Sequence, residues 1–242
     1  FFLTMGMAGY MHCYKEGFRL LSLGFLILVI SSILWWRDII REATYEGQHT
    51  SYVRKGLKMG MVLFILSEVM FFFAFFWAFF HSSLNPVYQL GCVWPPKGIH
   101  APDPWGIPLL NTFILITSGA YINWSQYSIL AGYRKQAING LILTILLAIW
   151  FTSLQGYEYV TAPFNISDGV YGSVFYMTTG LHGLHVIVGT IFLIVCLYRL
   201  VQYHFTRTQH VGFECAAWYW HFVDIVWIFV YFFIYWWGSA TN

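Results

Sequence analysis

Residues 56–79 form a run of 24 in which Glu68 is the only acid and the residues flanking it are overwhelmingly apolar. At about 1.5 Å rise per residue, a helix of that length crosses the ~30 Å hydrocarbon core of a bilayer and puts Glu68 near its midplane. Insertion scales charge roughly 2.5 to 3.5 kcal/mol for an acid there, so such a side chain is kept facing protein or a polar cavity. The run therefore predicts a membrane helix carrying a buried ionisable group, either a neutral hydrogen-bond donor or a site that exchanges protons.

The rest of the chain agrees with a lipid solvent. It is 59% hydrophobic and 9% charged, whereas soluble domains carry roughly 25% charged residues. Apolar stretches at about 18–36, 57–80, 107–130, 137–157, 170–201 and 213–237 read as six spans. Residues 1–11 read as the end of a seventh, incomplete first helix. The expected fold class is all-α, a polytopic membrane protein of seven transmembrane helices. Six of the seven prolines fall in one connection, from Pro86 to Pro108, which is a strong loop signal.

Lysine and arginine are retained on the cytoplasmic or matrix face of a membrane. Taken by alternate connections, nine of the 12 lie on one side (Arg37 to Lys58, Arg134 and Lys135, Arg199 and Arg207), against Lys15, Arg19 and Lys97 on the other. That asymmetry predicts an odd number of spans with the N-terminus inside. The same scatter of single and paired bases excludes a nucleic-acid surface. Cys13, Cys92, Cys196 and Cys215 have no metal-ligand spacing and read as small apolar residues.

Three groups of polar residues invite chemical readings. His182 and His185 share one helix face, and a metal held there would need two further ligands, such as His81 or His100. Hydrogen bonds from these imidazoles to neighbouring helices need fewer coincidences. Haem would require histidines paired on facing helices, and the fifth span has none. His221 and Asp224, three apart in the last span, can place an acid beside an imidazole for proton transfer or for helix packing. At the inner end of the second span, Trp35, Trp36, Arg37, Asp38, Arg41, Glu42 and His49 gather guanidinium groups and indoles suited to phospholipid headgroups, with Arg199 and His204 as a second such place.

Long strings then carry a resemblance: WWRDIIREATYEGQHT at 35–50, SEVMFFFAFFWAFFHSSLNP at 67–86, WPPKGI at 94–99, APFNISDGVYGSVF at 162–175, TGLHGLHVIVGT at 179–190 and HVGFECAAWYWHFVDIVW at 210–227. They resemble the subunit III family of the haem-copper oxidases, its mitochondrial members most. The resemblance implies seven helices in a V-shaped two-plus-five arrangement: residues 1–42 as the first two, an inner-side loop at 43–56, and a five-helix bundle at 57–242. It implies a redox-silent core subunit that packs on the catalytic haem-copper subunit 1, with haem and copper held by partner subunits and structural phospholipids in the cleft. By position, Trp36, Arg41, Glu42, His49, Arg199 and His204 match family lipid-site residues, and Glu68 matches the family's intramembrane carboxylate. No catalytic or metal-ligating residue is expected in this chain, which has no HisHis pair and no closely spaced cysteines. The implied location is the mitochondrial inner membrane, N-terminus on the matrix side. A self-sufficient transporter using Glu68 and Asp224, or a membrane cytochrome, are the rival classes.

Overall fold

A computed structural model describes residues 1–88 and 91–239. Among them there are seven α-helices and no strand: α1 (Phe2–Met11), α2 (Gly17–Thr44), α3 (Ser51–Leu84), α4 (Ile107–Ala131), α5 (Arg134–Thr161), α6 (Gly169–Val201) and α7 (Val211–Val230), the last continued by a π-helical segment, Tyr231–Trp237. Five stretches, namely α2, α3, α5, α6 and α7 with its π extension, are long and apolar enough to cross a membrane. The sequence also predicts a span at α4, yet this helix is not among the five. Asn111, Thr112, Ser118, Asn123, Ser125, Gln126 and Ser128 dilute its apolar character.

Helix ends run past the apolar stretches. α2 continues to Thr44, α3 starts at Ser51 and α5 reaches Thr161, because polar residues at a helix end continue its hydrogen bonding while leaving the hydrocarbon. The chain forms two compact units, Phe1–Gly56 and Leu57–Asn242.

In the first unit α1 and α2 lie against one another in opposite directions. A Cβ on Gly6 would strike the backbone of Leu21, one on Gly17 that of Tyr10, and one on Gly24 that of Leu3. Lipid tails remove the hydrophobic drive for helix pairing, so association depends on close van der Waals contact, which these glycines permit.

The second unit is centred on α7. Trp220 and Trp227 are its largest buried side chains, and each indole Nε1 donates across to α4, Trp220 to Ser118 Oγ at 2.9 Å and Trp227 to Thr112 Oγ1 at 3.0 Å. Two of the polar residues that dilute α4, Thr112 and Ser118, are therefore the acceptors that fix these indoles of α7. Ser125 Oγ donates to Ala137 O at 2.7 Å, tying α4 to α5 where Gly140 leaves room. The Arg134 guanidinium, at the start of α5, caps the end of α6 through Leu200 O and Val201 O and lies 3.3 Å over the Tyr203 ring. α3 is held by long side chains: Phe72 meets His185 and Phe222 at 5.2 and 6.1 Å between ring centroids, and Phe79 meets Trp94 at 5.6 Å. Most of its other large apolar side chains are exposed.

Candidate functional site

The intramembrane carboxylate of α3 has a partner. Glu68 Oε2 lies 2.9 Å from Nε2 of His185 on α6. The other ring nitrogen, Nδ1, is 2.8 Å from Leu181 O, one turn back along the same helix. A carbonyl only accepts, so Nδ1 carries a hydrogen, and the Glu68–His185 contact then holds one further proton, on either the carboxyl or Nε2. Phe72, Tyr219 and Phe222 enclose the imidazole. This arrangement suits a proton shared between two side chains.

His182 and His185 begin one face of α6 but end in different surroundings. His182 is fully buried between Phe151 and Trp227, with Nε2 3.1 Å from Val223 O of α7. Both histidines thus make interhelical hydrogen bonds. Among the described residues no three His, Cys, Asp or Glu side chains are grouped to hold a metal ion.

His221 and Asp224 lie side by side on α7 without a hydrogen bond between them. Their closest approach, Nδ1 to Oδ2, is 4.0 Å, beyond hydrogen-bond reach. The imidazole is fixed instead by Asn123 of α4, whose Oδ1 is 2.9 Å from Nε2. Asp224 turns toward α4 at Gly119, where a Cβ would collide with its carboxylate, and its Oδ1 is buried without a hydrogen bond among the described residues. Glycine at 119 is what leaves space for the acid.

Two features escape sequence reasoning. Lys58 on α3 pairs with Glu214 on α7, and Glu214 Oε1 also lies 3.3 Å from His210 Nε2; residues 58 and 214 carry no mutual signal. Glu158 is only 6% exposed. The apolar span that the sequence predicts ends at residue 157, one position short of it.

The cationic residues fall in both units. Trp36, Arg41 and Glu42 are exposed on α2, and His49 is half-buried in the connection to α3. In the other unit the Arg199 guanidinium lies 4.4 Å over the Phe205 ring, with its Nε buried and without a hydrogen-bond partner among the described residues. His204 follows α6; partial burial and the neighbouring Arg199 charge lower its pKa from the usual 6.5.

The family model for cytochrome c oxidase subunit III matches residues 1–239. The chain belongs to this family. Subunit 3 of cytochrome c oxidase from Prototheca wickerhamii is 60% identical over 240 residues, 99% of this chain and 92% of that one. The Arabidopsis thaliana protein of the same name is 57% identical over 98% of this chain and 89% of its own length. That of Formosania lacustris is 58% identical, covering 98% and 90%. Within the subunit III family, then, this member carries an acid–imidazole pair between α3 and α6, a second polar contact between α4 and α7, and a half-buried arginine at the end of α6.

Proposed function

We infer that this chain serves cytochrome c oxidase as its third core subunit, within the complex that passes electrons from cytochrome c to dioxygen and translocates protons. The match over residues 1–239 carries this reading. The chain's own part is to stabilise the catalytic haem-copper subunit, hold phospholipid, and assist proton uptake and oxygen access, while haem and copper belong to partner subunits. In this reading seven helices, the first incomplete in this chain, belong to the mitochondrial inner membrane in the two-plus-five V, with the N-terminus on the matrix side, and residues 1–42 and 57–242 are its two arms joined at 43–56.

Lipid binding is supported by the chemistry of the charged ends. A guanidinium half-buried over Phe205, with a donor left over, suits a phosphate, which accepts several N–H bonds at once. Exposed Trp36, Arg41 and Glu42 near the end of α2 bring an indole and a guanidinium to the same level of that helix, and His49 and His204 extend the two headgroup regions. Lipid tails between them give dioxygen, an apolar solute, a hydrocarbon path. Glu68, His221 and Asp224 act as polar links within the membrane.

Affinity purification of the tagged chain from its own membranes tests the assignment: the large haem-copper subunits should copurify, and their absence overturns it. Mass spectrometry of lipid retained by the Arg41→Ala and Arg199→Ala complexes tests the lipid role. Fewer bound phospholipids and a shorter turnover lifetime are expected; unchanged lipid content and kinetics refute it.

A further inference from the structure

Glu158 is a buried acid that none of the pairs above uses. It makes no ion pair among the described residues; the Tyr235 hydroxyl approaches its carboxyl as a hydrogen-bonding neighbour, and no other described side chain or backbone group is within hydrogen-bond distance of either carboxyl oxygen. The titratable groups facing it are neutral phenols: Tyr159 on its own helix, Tyr171 and Tyr176 on α6, and Tyr235 on the π segment. No lysine or arginine is among them.

Polar atoms of the opposite kind are also stranded at this end of the unit. The Tyr171 hydroxyl and the Trp94 indole Nε1 are buried without partners among the described residues, and their rings are 5.4 Å apart. A short chain of bonds runs from Asn111 Nδ2 to Gln155 Oε1 at 3.3 Å and from Gln155 Nε2 to Tyr235 Oη at 3.1 Å, leaving Asn111 Oδ1 unmatched. A buried polar group left dry is costly, and stranded donors beside stranded acceptors are what buried water satisfies, typically with about three hydrogen bonds per molecule.

Solvent reaches the neighbouring Pro-rich loop. A cleft of about 280 Å³ opens in the Pro-rich loop, lined by Pro95, Ile99, Pro102, Asp103, Pro104 and Ser239 among others. Pro95 directly follows Trp94, and Ser239 Oγ donates to Tyr235 O at 2.5 Å. The cleft walls thus include the chain neighbour of Trp94 and a hydrogen-bond partner of the Tyr235 backbone, while the cluster's own side chains lie behind them.

We propose that Glu158 is the centre of a hydrated, proton-exchanging site whose ligands are ordered water and one proton drawn from the aqueous phase on the Pro-rich-loop side. On uptake a hydronium hands its proton to a carboxyl oxygen, leaving water and a neutral acid; release reverses this, and no other bond changes. Tyr171 and Trp94 donate to the water that bridges to the carboxyl, and Tyr235 orients it. The site is separate from Glu68 and His185, whose proton lies between two side chains.

Infrared difference spectroscopy of the assembled complex in H₂O and D₂O tests this. A protonated-carboxyl stretch should shift on deuteration, disappear in Glu158→Gln and survive in Glu68→Gln. A spectrum in which Glu158→Gln removes no such band overturns the proposal. If Glu158→Gln does not assemble, Tyr171→Phe, which deletes only a hydroxyl, should shift the band, and an unmoved band overturns it. A high-resolution experimental map should show water between Glu158 and Tyr171; dry packing there refutes the hydrated site.

Discussion

Glu68 on α3 and His185 on α6 meet at 2.9 Å, 117 positions apart in the chain. Because Leu181 O occupies the other ring nitrogen, the pair is electrically neutral whichever partner holds the shared proton. Neutrality explains how an acid survives in the apolar middle of α3: the membrane sees a hydrogen-bonded pair in place of a lone charge. The same bond anchors a helix that otherwise touches its neighbours through phenylalanines.

Replacing Glu68 by Gln keeps a donor for Nε2 but removes the exchangeable proton. Assembly should survive with a loss under about 1 kcal/mol, in line with typical interhelical hydrogen bonds in membranes. Glu68→Leu strands a buried imidazole nitrogen and should cost about 1–3 kcal/mol. Thermal release of the subunit from the complex separates the two variants; coincident melting would show that the bond contributes nothing to packing.

The indole bonds to α4 permit a cleaner test of why that helix is polar. Trp227→Phe retains most of the ring volume but deletes the donor to Thr112, and should destabilise by about 0.6 to 2 kcal/mol. Combining it with Thr112→Val gives a double-mutant cycle. Additive losses would mean that the 3.0 Å contact carries no coupling.

How much of this is legible in the sequence differs by level. Apolar length locates α2, α3, α5, α6 and α7 because hydrocarbon thickness dictates it, and the strings at 35–50, 67–86 and 210–227 carry the family. Helix ends are not legible: Thr44, Ser51 and Thr161 lie beyond the apolar runs, and the one-residue shortfall at 157 hides Glu158. Partners are not legible either. Glu68 announces a polar contact without naming His185, and Asn123, the hydrogen-bond partner of His221, is an unremarkable amide until α4 and α7 are packed together.

His204 supplies a pH dependence outside the membrane-spanning helices. Its folded pKa is below the unfolded value of 6.5, through burial and the adjacent Arg199, so folding favours the neutral ring. The associated stability is present above about pH 6.5 and is lost as pH falls through the lower, folded value. Hydrogen exchange in the connection at 202–210, corrected for its intrinsic slowing in acid, should accelerate in that window. The His204→Gln variant should lack the acceleration; an identical pH profile in both would assign it to another group.

The Lys58–Glu214 pair should matter more to position than to energy. Both side chains are part-exposed, and exposed pairs contribute about 0–1 kcal/mol. Lys58→Met should therefore leave melting nearly unchanged while releasing Glu214 to His210 alone. The readout is the spin-label distance between the starts of α3 and α7, expected to broaden; an unaltered distribution would mean that the aromatic contacts alone set the spacing.

The α1–α2 hairpin gives the most direct steric prediction. At Gly17 an added Cβ falls inside the Tyr10 backbone, and at Gly24 inside that of Leu3; backbone cannot yield as a flexible side chain does. Gly17→Val and Gly24→Val should each force α1 away from α2, at a cost of several interhelical contacts. Gly56→Val, where an added Cβ would meet nothing within 4 Å, serves as the control for β-branching in a helix. Protease cleavage in the turn at 12–16 should accelerate in the first two variants and stay at the parent rate in the third. Equal cleavage in all three would mean that the glycines shorten nothing and that α1 is held by its loop alone.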